Sequence, residues 1–340
     1  MQALWFNGQH EIEVKELTIP KLKSDELLVH VDACGVCGTD FHIYEGNAPA
    51  KIPVVLGHEY TGVILDIGSR FDKLKIGDKI AINPNIHCGY CEFCRKGKIN
   101  LCSNLKALGI TLNGGMSQLS IVPVTQAYLL PNDFPFSKSV FAEPVSCCIH
   151  GINQADIIPG EKVIIIGAGT IGLIMLQLAQ LRGAAEVIVL DPLQFKRELA
   201  VALKADHVLN PFNEDANEKV LEITSGGADT VIECVGSQAA VQSALKLTKK
   251  GGKVVIFGLA NSSAVINVYM QSFFHKELTL KSSILNPNTF QPAVDLIINR
   301  KINVEIFNPY PVQLKQEEIK TLFNGSDNKN IIKFMVTPNN

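Results

Sequence analysis

No stretch of about 18 apolar residues runs uninterrupted anywhere in the chain, so nothing reads as a membrane-spanning helix. The opening Met-Gln-Ala-Leu-Trp-Phe-Asn-Gly has neither the basic cluster nor the apolar segment of a secretory signal, and a cytoplasmic location is expected. Runs of like charge are absent and the formal net charge is only −2, which leaves no footprint for nucleic acid or an anionic membrane. Internal repeats are missing too, and the only biased segment is the polar loop Asn324-Gly-Ser-Asp-Asn-Lys-Asn330. Nor is there an even set of cysteines. Of the nine, Cys37 and the four between positions 88 and 102 sit in metal-like contexts, which fits a reducing compartment better than a disulfide framework.

What is present suits a two-domain enzyme: 340 residues, 46% apolar and 19% charged, enough for two separately buried cores. The organising stretch is Lys162-Val-Ile-Ile-Ile-Gly-Ala-Gly-Thr-Ile-Gly172. A buried-strand run leads into Gly167-x-Gly169-x-x-Gly172, and a helix-period segment follows to Leu181. In such a turn the first glycine allows the bend, the second admits a pyrophosphate, and the third lets helix and strand pack closely, with phosphate on the helix N-terminus. Gly167, Gly169, Thr170, Ile171 and Gly172 are therefore candidate cofactor contacts. The next apolar run, Glu186–Leu190, ends on Asp191, about 20 residues past the last glycine, where a ribose-binding acid selects NAD over NADP. Lys196, shortly after, is a further candidate.

The two halves differ in texture. Residues 1–33 and 71–130 read as short strands separated by turn signals, among them Leu27–Val31, Lys79–Ile82 and Leu119–Pro123. Beyond Asp191, helical stretches at Ala200–Leu203, Glu218–Thr224 and Ala239–Leu247 alternate with strands at Ala205–Asn210, Ala228–Glu233 and Gly252–Gly258, which implies a parallel sheet. Phe141-Ala-Glu143-Pro144 opens a helical run through His150, and Ile331–Val336 reads as a last strand.

Two constellations carry metal chemistry. Cys88-x-x-Cys91-x-x-Cys94-x7-Cys102 offers four thiolates, a closed tetrahedral zinc shell; a ferredoxin cluster would need a last gap of three residues followed by proline. Cys37, His58 and Glu59 are the three side-chain types zinc accepts, although each alone has an ordinary structural reading. Cys34 and Cys37 form a Cys-x-x-Cys outside the strand-turn-helix setting of a redox pair.

Taken together, Gly57-His58-Glu59-x-x-Gly62, the four-cysteine lobe, Ala142-Glu143-Pro144 and the glycine turn, in that order, make the chain resemble the zinc-dependent medium-chain dehydrogenase/reductase family, in its sorbitol (polyol) and threonine dehydrogenase branches. The resemblance covers essentially the whole chain. It implies an α/β protein: a GroES-like β-rich catalytic domain over 1–150, completed by 285–340, with a Rossmann doubly wound parallel-sheet domain over 151–284. It implies Cys37 and His58 as catalytic zinc ligands, Glu59 as the carboxylate ligand of the polyol branch, and Glu143 as either a ligand or the acid that orients water beside the metal. Thr39 and His42 match the family's proton relay. Leu285 stands where many polyol dehydrogenases carry a substrate-contacting arginine, a departure that bears on sorbitol itself.

The expectation is therefore two zinc ions per chain, one catalytic and one structural, and NAD-linked oxidation of a secondary alcohol on a small polyhydroxylated substrate to the ketone. No nucleic-acid or membrane partner is expected. The resemblance implies a homodimer or homotetramer, and Glu277–Lys281 is an edge-strand candidate for the contact. The rivals are a threonine dehydrogenase acting on a β-hydroxy amino acid, a non-catalytic dinucleotide-binding scaffold, and a zinc-free quinone or enone reductase.

Overall fold

The computed structural model describes residues 1–69, 71, 73–261, 263–325 and 330–339; positions 326–329 of the polar Asn324–Asn330 segment lie outside that set. The chain divides into two compact units, Met1–Ser146 with Leu285–Asn340, and Cys147–Ile284. The first division falls at Ser146 rather than at residue 150, inside the unbroken helix Ala142–Ala155.

The first unit is built on strands. In Glu26–Gly35 the residues Leu27, Val29, Val31 and Ala33 alternate inward and are fully or almost fully buried. The sheet runs, in spatial order, Ala127–Leu129, Lys79–Ile82, Glu59–Ile67, Glu26–Gly35, Phe334–Thr337 and Tyr310–Gln313, with Leu119–Pro123 also paired to Glu26–Gly35. Both ends of the chain feed its core: Leu4 and Phe6 join Tyr60, Ile64, Ile80, Ile319, Phe323 and Val336 in one buried cluster. Each such apolar side chain taken out of water contributes about 1.5–3 kcal/mol.

In the second unit six parallel strands lie in the order His207–Leu209, Glu186–Leu190, Lys162–Ile166, Ala228–Glu233, Thr248–Ile256, Thr279–Ser282. Numbered by sequence this is 3-2-1-4-5-6, the doubly wound arrangement whose strand order reverses beside Lys162–Ile166. The central strands are continuous apolar runs because helices cover such a sheet on both faces. Element boundaries differ from the sequence reading. The helix that includes Ala200 runs Gln194–Ala202, since its first turns are polar; the fifth strand begins at Thr248, ahead of its glycines; and the last strand is Phe334–Thr337. Among the described residues six helices, Gly38–Tyr44, Glu92–Arg95, Phe136–Ser139, Met270–Lys276, Phe290–Ile298 and Gln316–Phe323, have no counterpart in the sequence reading. The first of them follows Glu26–Gly35 with Cys37 as its N-cap, so Cys34 and Cys37 do sit in a strand-turn-helix setting, contrary to expectation. Among the described residues no helix is long and apolar enough to cross a membrane.

Candidate active site and cofactor sites

Strand register assembles the first constellation. Glu26–Gly35 pairs antiparallel with Glu59–Ile67, and Gly35 lies opposite Glu59. Cys37, two residues past one strand end, is thus brought beside His58, one residue before the other. The ligand atoms of Cys37, His58 and Glu59 all lie within 4.8 Å of one another. Glu143 is not one of this group; it is buried in the first turn of Ala142–Ala155, and the Ser146 hydroxyl donates to its carbonyl oxygen at 2.6 Å.

Cys37 caps the helix Gly38–Tyr44, and its N–H donates to Asp40 Oδ2 at 2.9 Å. The other carboxylate oxygen of Asp40 lies 3.5 Å from His58 Nδ1; both residues are buried, and neither atom has another partner. Burial disfavours the charged form of His58, but the negative charges of Asp40 and Cys37 outweigh it and hold its proton affinity well above the ordinary value. An imidazole whose Nδ1–H is aimed at a carboxylate leaves Nε2 for a metal, the orientation such a partner enforces in zinc sites. Thr39 Oγ1 is 3.6 Å from Cys37 Sγ, and His42, three residues on, shares its side of the same helix.

One residue here carried no signal in the sequence reading. Lys333, delivered by the approach to the C-terminal strand, buries its ammonium against the Glu59 carboxylate. Burial lowers its proton affinity, yet Glu59 foremost, then Cys37 and Asp40, raise it above the usual lysine value.

In the lobe, Cys88 Sγ is 4.0 Å from Cys94 Sγ, and Cys91 Sγ is 3.9 Å from Cys102 Sγ. Four sulfurs about 2.3 Å from one zinc would be separated by about 3.8 Å, so the cradle fits that ion. Backbone N–H groups point at the sulfurs, from Cys88 and Asn104 to Cys102 and from Cys91 to Cys88, as thiolates require. The N–H groups of Cys94 and Ser103 lower the Cys91 thiol to about 6.

The glycine turn is shaped for a dinucleotide. Gly167 has φ +96°, a conformation that L side chains resist, and a Cβ on Gly172 would fall 1.7 Å from the Gly167 carbonyl oxygen. A Cβ on Gly169, at the N-cap of the helix Thr170–Leu181 that also carries Ile171, would meet nothing within 4 Å, which leaves space for a phosphate. Asp191 is buried, with Oδ2 accepting from Ala168 N at 2.8 Å and Oδ1 from Leu193 N at 2.9 Å. Lys196 is half-buried on the next helix, but its neighbour Arg197 is the residue that reaches Asp191: Nη1 donates to the carbonyls of Asp191 and Pro192, both at 2.8 Å.

Residues 23–132 match the alcohol dehydrogenase GroES-like domain, and residues 170–299 the zinc-binding dehydrogenase domain. The chain is 30% identical to the sorbitol dehydrogenase of Bacillus subtilis over 100% of its own length and 98% of that protein's. It belongs to the zinc-dependent medium-chain dehydrogenase/reductase family. Within that family it is also 36% identical to the L-threonine 3-dehydrogenase of Thermococcus kodakarensis, over 73% of this chain and 72% of that one. A zinc-binding dehydrogenase of Sinorhizobium meliloti 1021, solved with NADP bound, superimposes with a TM-score of 0.93 at 34% identity, covering 99% of each chain. The protein is an oxidoreductase acting on alcohols that uses zinc and a nicotinamide dinucleotide.

Proposed function

We propose that this dehydrogenase oxidises a secondary alcohol of a polyol or sugar derivative with NAD: the carbinol carbon gives a hydride to the oxidised cofactor and its hydroxyl gives up a proton, leaving the ketone, NADH and H+. The observation that carries the reading is the mixed donor set Cys37, His58 and Glu59, with Glu143 buried in the same unit. One thiolate and two carboxyl groups favour a pocket for a multiply hydroxylated molecule over one for a simple apolar alcohol.

Cys37, His58 and Glu59 would hold the catalytic zinc; the four lobe cysteines would hold the structural one. When bound, zinc supplies Lewis acidity at the carbinol oxygen and the nicotinamide accepts the hydride. The protein's own part is orientation and proton handling. Asp40 fixes the His58 ring, Glu143 orients the hydroxyl or water at the centre, and Thr39 Oγ1 hands the hydroxyl proton on toward His42 and solvent. Asp191 favours NAD by occupying with negative charge the place a 2′-phosphate would need.

Threonine dehydrogenase chemistry is the second reading, supported by the Thermococcus relative, and one experiment separates the two. Zinc per chain is measured on wild type and Cys37→Ser, with NAD and NADP reduction on a panel of polyols and L-threonine. Two zinc ions falling to about one, with activity lost and a polyol preferred, support the reading; one zinc in both proteins, or threonine alone turned over, overturns it. We also assign self-association to the edge strand Thr279–Ser282; Tyr269, Met270 and Phe274, shortly before it in the chain, are exposed. Light scattering on Ser282→Pro checks this: Ser283 N donates back to Ile256 O at 3.1 Å, so the alternate Ser282 N–H faces the open edge, and its loss should release monomers.

A further inference from the structure

Ser146 is the residue at which the chain leaves the first unit, and Leu285 the one at which it returns. A cluster of uncharged polar side chains gathers there, with Ser146, Asn286 and Thr289 buried and Asn83 and Asn85 half-buried. Asn286, 3% exposed, donates through Nδ2 to Ser146 Oγ at 2.8 Å and to Asn83 Oδ1 at 3.2 Å, while its Oδ1 accepts from Asn85 Nδ2 at 2.8 Å. Ser146 Oγ passes the chain on to the Glu143 carbonyl, and the Ser146 carbonyl accepts from Thr289 Oγ1 at 2.7 Å. Both amide protons and the carbonyl of Asn286 are thus committed.

The backbone around this side chain is strained. Leu285 has φ +60° and Asn288 φ +57°, and for a leucine that conformation costs of order 1–2 kcal/mol. Strain of this kind survives where the surroundings over-determine it, and it concentrates near functional sites. A helix with Glu143 and Pro144 in its first turn has a favourable start already and needs no buried amide to form. What the cluster adds is direction, because a satisfied polar network permits one geometry where apolar packing permits several.

We propose that Asn286 is a positioning residue for Glu143: by clamping Ser146 against Asn83 and Asn85, it fixes the first turn of the helix and so the direction of the Glu143 carboxylate. The proposal rests on the reading of Glu143 as part of the catalytic centre. Nothing in it requires Asn286 to touch substrate, cofactor or metal.

The test is a double-mutant cycle of Asn286→Leu with Glu143→Gln, read as kcat and KM on the best alcohol, together with hydrogen exchange at the amides of residues 145–148 in the metal-free protein. Asn286→Leu alone is expected to lower kcat roughly tenfold to a hundredfold, the scale of a small misplacement, to leave KM within about twofold, and to speed exchange about tenfold at those amides. In the Glu143→Gln background it should cause no further loss of kcat. The same loss in both backgrounds, or unchanged exchange, overturns the proposal and leaves the cluster a structural staple. An unchanged kcat in Glu143→Gln alone overturns instead the reading of Glu143, and the proposal with it. Should Asn286→Leu not fold, Ser146→Ala, which deletes only the bridging hydroxyl, goes through the same cycle with the same outcomes.

Discussion

Lys333 and Glu59, 274 residues apart in sequence, form a buried ion pair beside the Cys37 and His58 ligand atoms. A carboxylate held by an ammonium is not at the same time fully available to a metal. Replacing Lys333 by methionine leaves the Glu59 charge buried and unpaired, and the metal-free protein is expected to lose about 3–5 kcal/mol. A zinc ion would return the missing positive charge, so the rise in Tm on zinc saturation should be larger in Lys333→Met than in wild type. Melting curves of metal-free and zinc-saturated protein check this; equal increments would show that Lys333 and the metal do not share Glu59.

The 3.5 Å approach of Asp40 Oδ1 to His58 Nδ1 leads to a second expectation. Asp40→Asn keeps the volume but removes the charge that orients the imidazole. Zinc affinity at the Cys37 centre should fall about 10- to 100-fold, the usual cost of losing such a partner, while the four-cysteine lobe keeps its ion. Chelator competition resolves the two sites, and parallel loss from both would point to general unfolding.

The nucleotide unit was the more legible half of the fold because its signals are local. The strand Glu186–Leu190 and the strand Ala228–Glu233 are bounded where their apolar runs are bounded, and the glycine turn lies between adjacent elements. The first unit is held by pairings no local pattern announces, such as Gly35 opposite Glu59, or Met335 opposite Gly35. The donor residues of the metal groups stood out through their chemistry and spacing. Lys333 and Asn286 did not, since a lysine near a chain end and an asparagine in a turn normally face water. The contact of Arg197 with the Asp191 carbonyl carried no sequence signal, because which cation of a helix turns back toward the preceding strand depends on helix phase, and the helix begins at Gln194, ahead of the apolar stretch that revealed it.

Two glycines in one turn should respond in opposite ways. A methyl group on Gly172 would meet the Gly167 carbonyl at 1.7 Å, so Gly172→Ala must move strand or helix and lower Tm. Gly169→Ala meets no protein atom within 4 Å, and the fold should be indifferent to it. The methyl would instead stand in space a pyrophosphate uses, and dinucleotide affinity should drop at least about tenfold. Titration by fluorescence alongside thermal melting separates the two; a Gly169→Ala protein that binds NAD like wild type would remove that residue from the cofactor site.

Glu233, at the end of the strand Ala228–Glu233, accepts from Val235 N at 2.7 Å and Gly236 N at 2.8 Å through one oxygen, while its other oxygen is buried without a partner. Burial raises its carboxyl above the ordinary value, and the backbone N–H groups only partly oppose this. The folded chain therefore keeps the proton to a higher pH than the unfolded chain does. The group's contribution is fully present below the unfolded value and is lost as pH rises through the folded one. Glu233→Gln keeps an acceptor for the two amides and cannot ionise. Its Tm relative to wild type should rise from acidic to neutral pH, with the difference smallest near pH 4, close to the ordinary carboxyl value. A difference independent of pH would mean that Glu233 holds one protonation state throughout, and that its unpartnered oxygen is tolerated for packing alone.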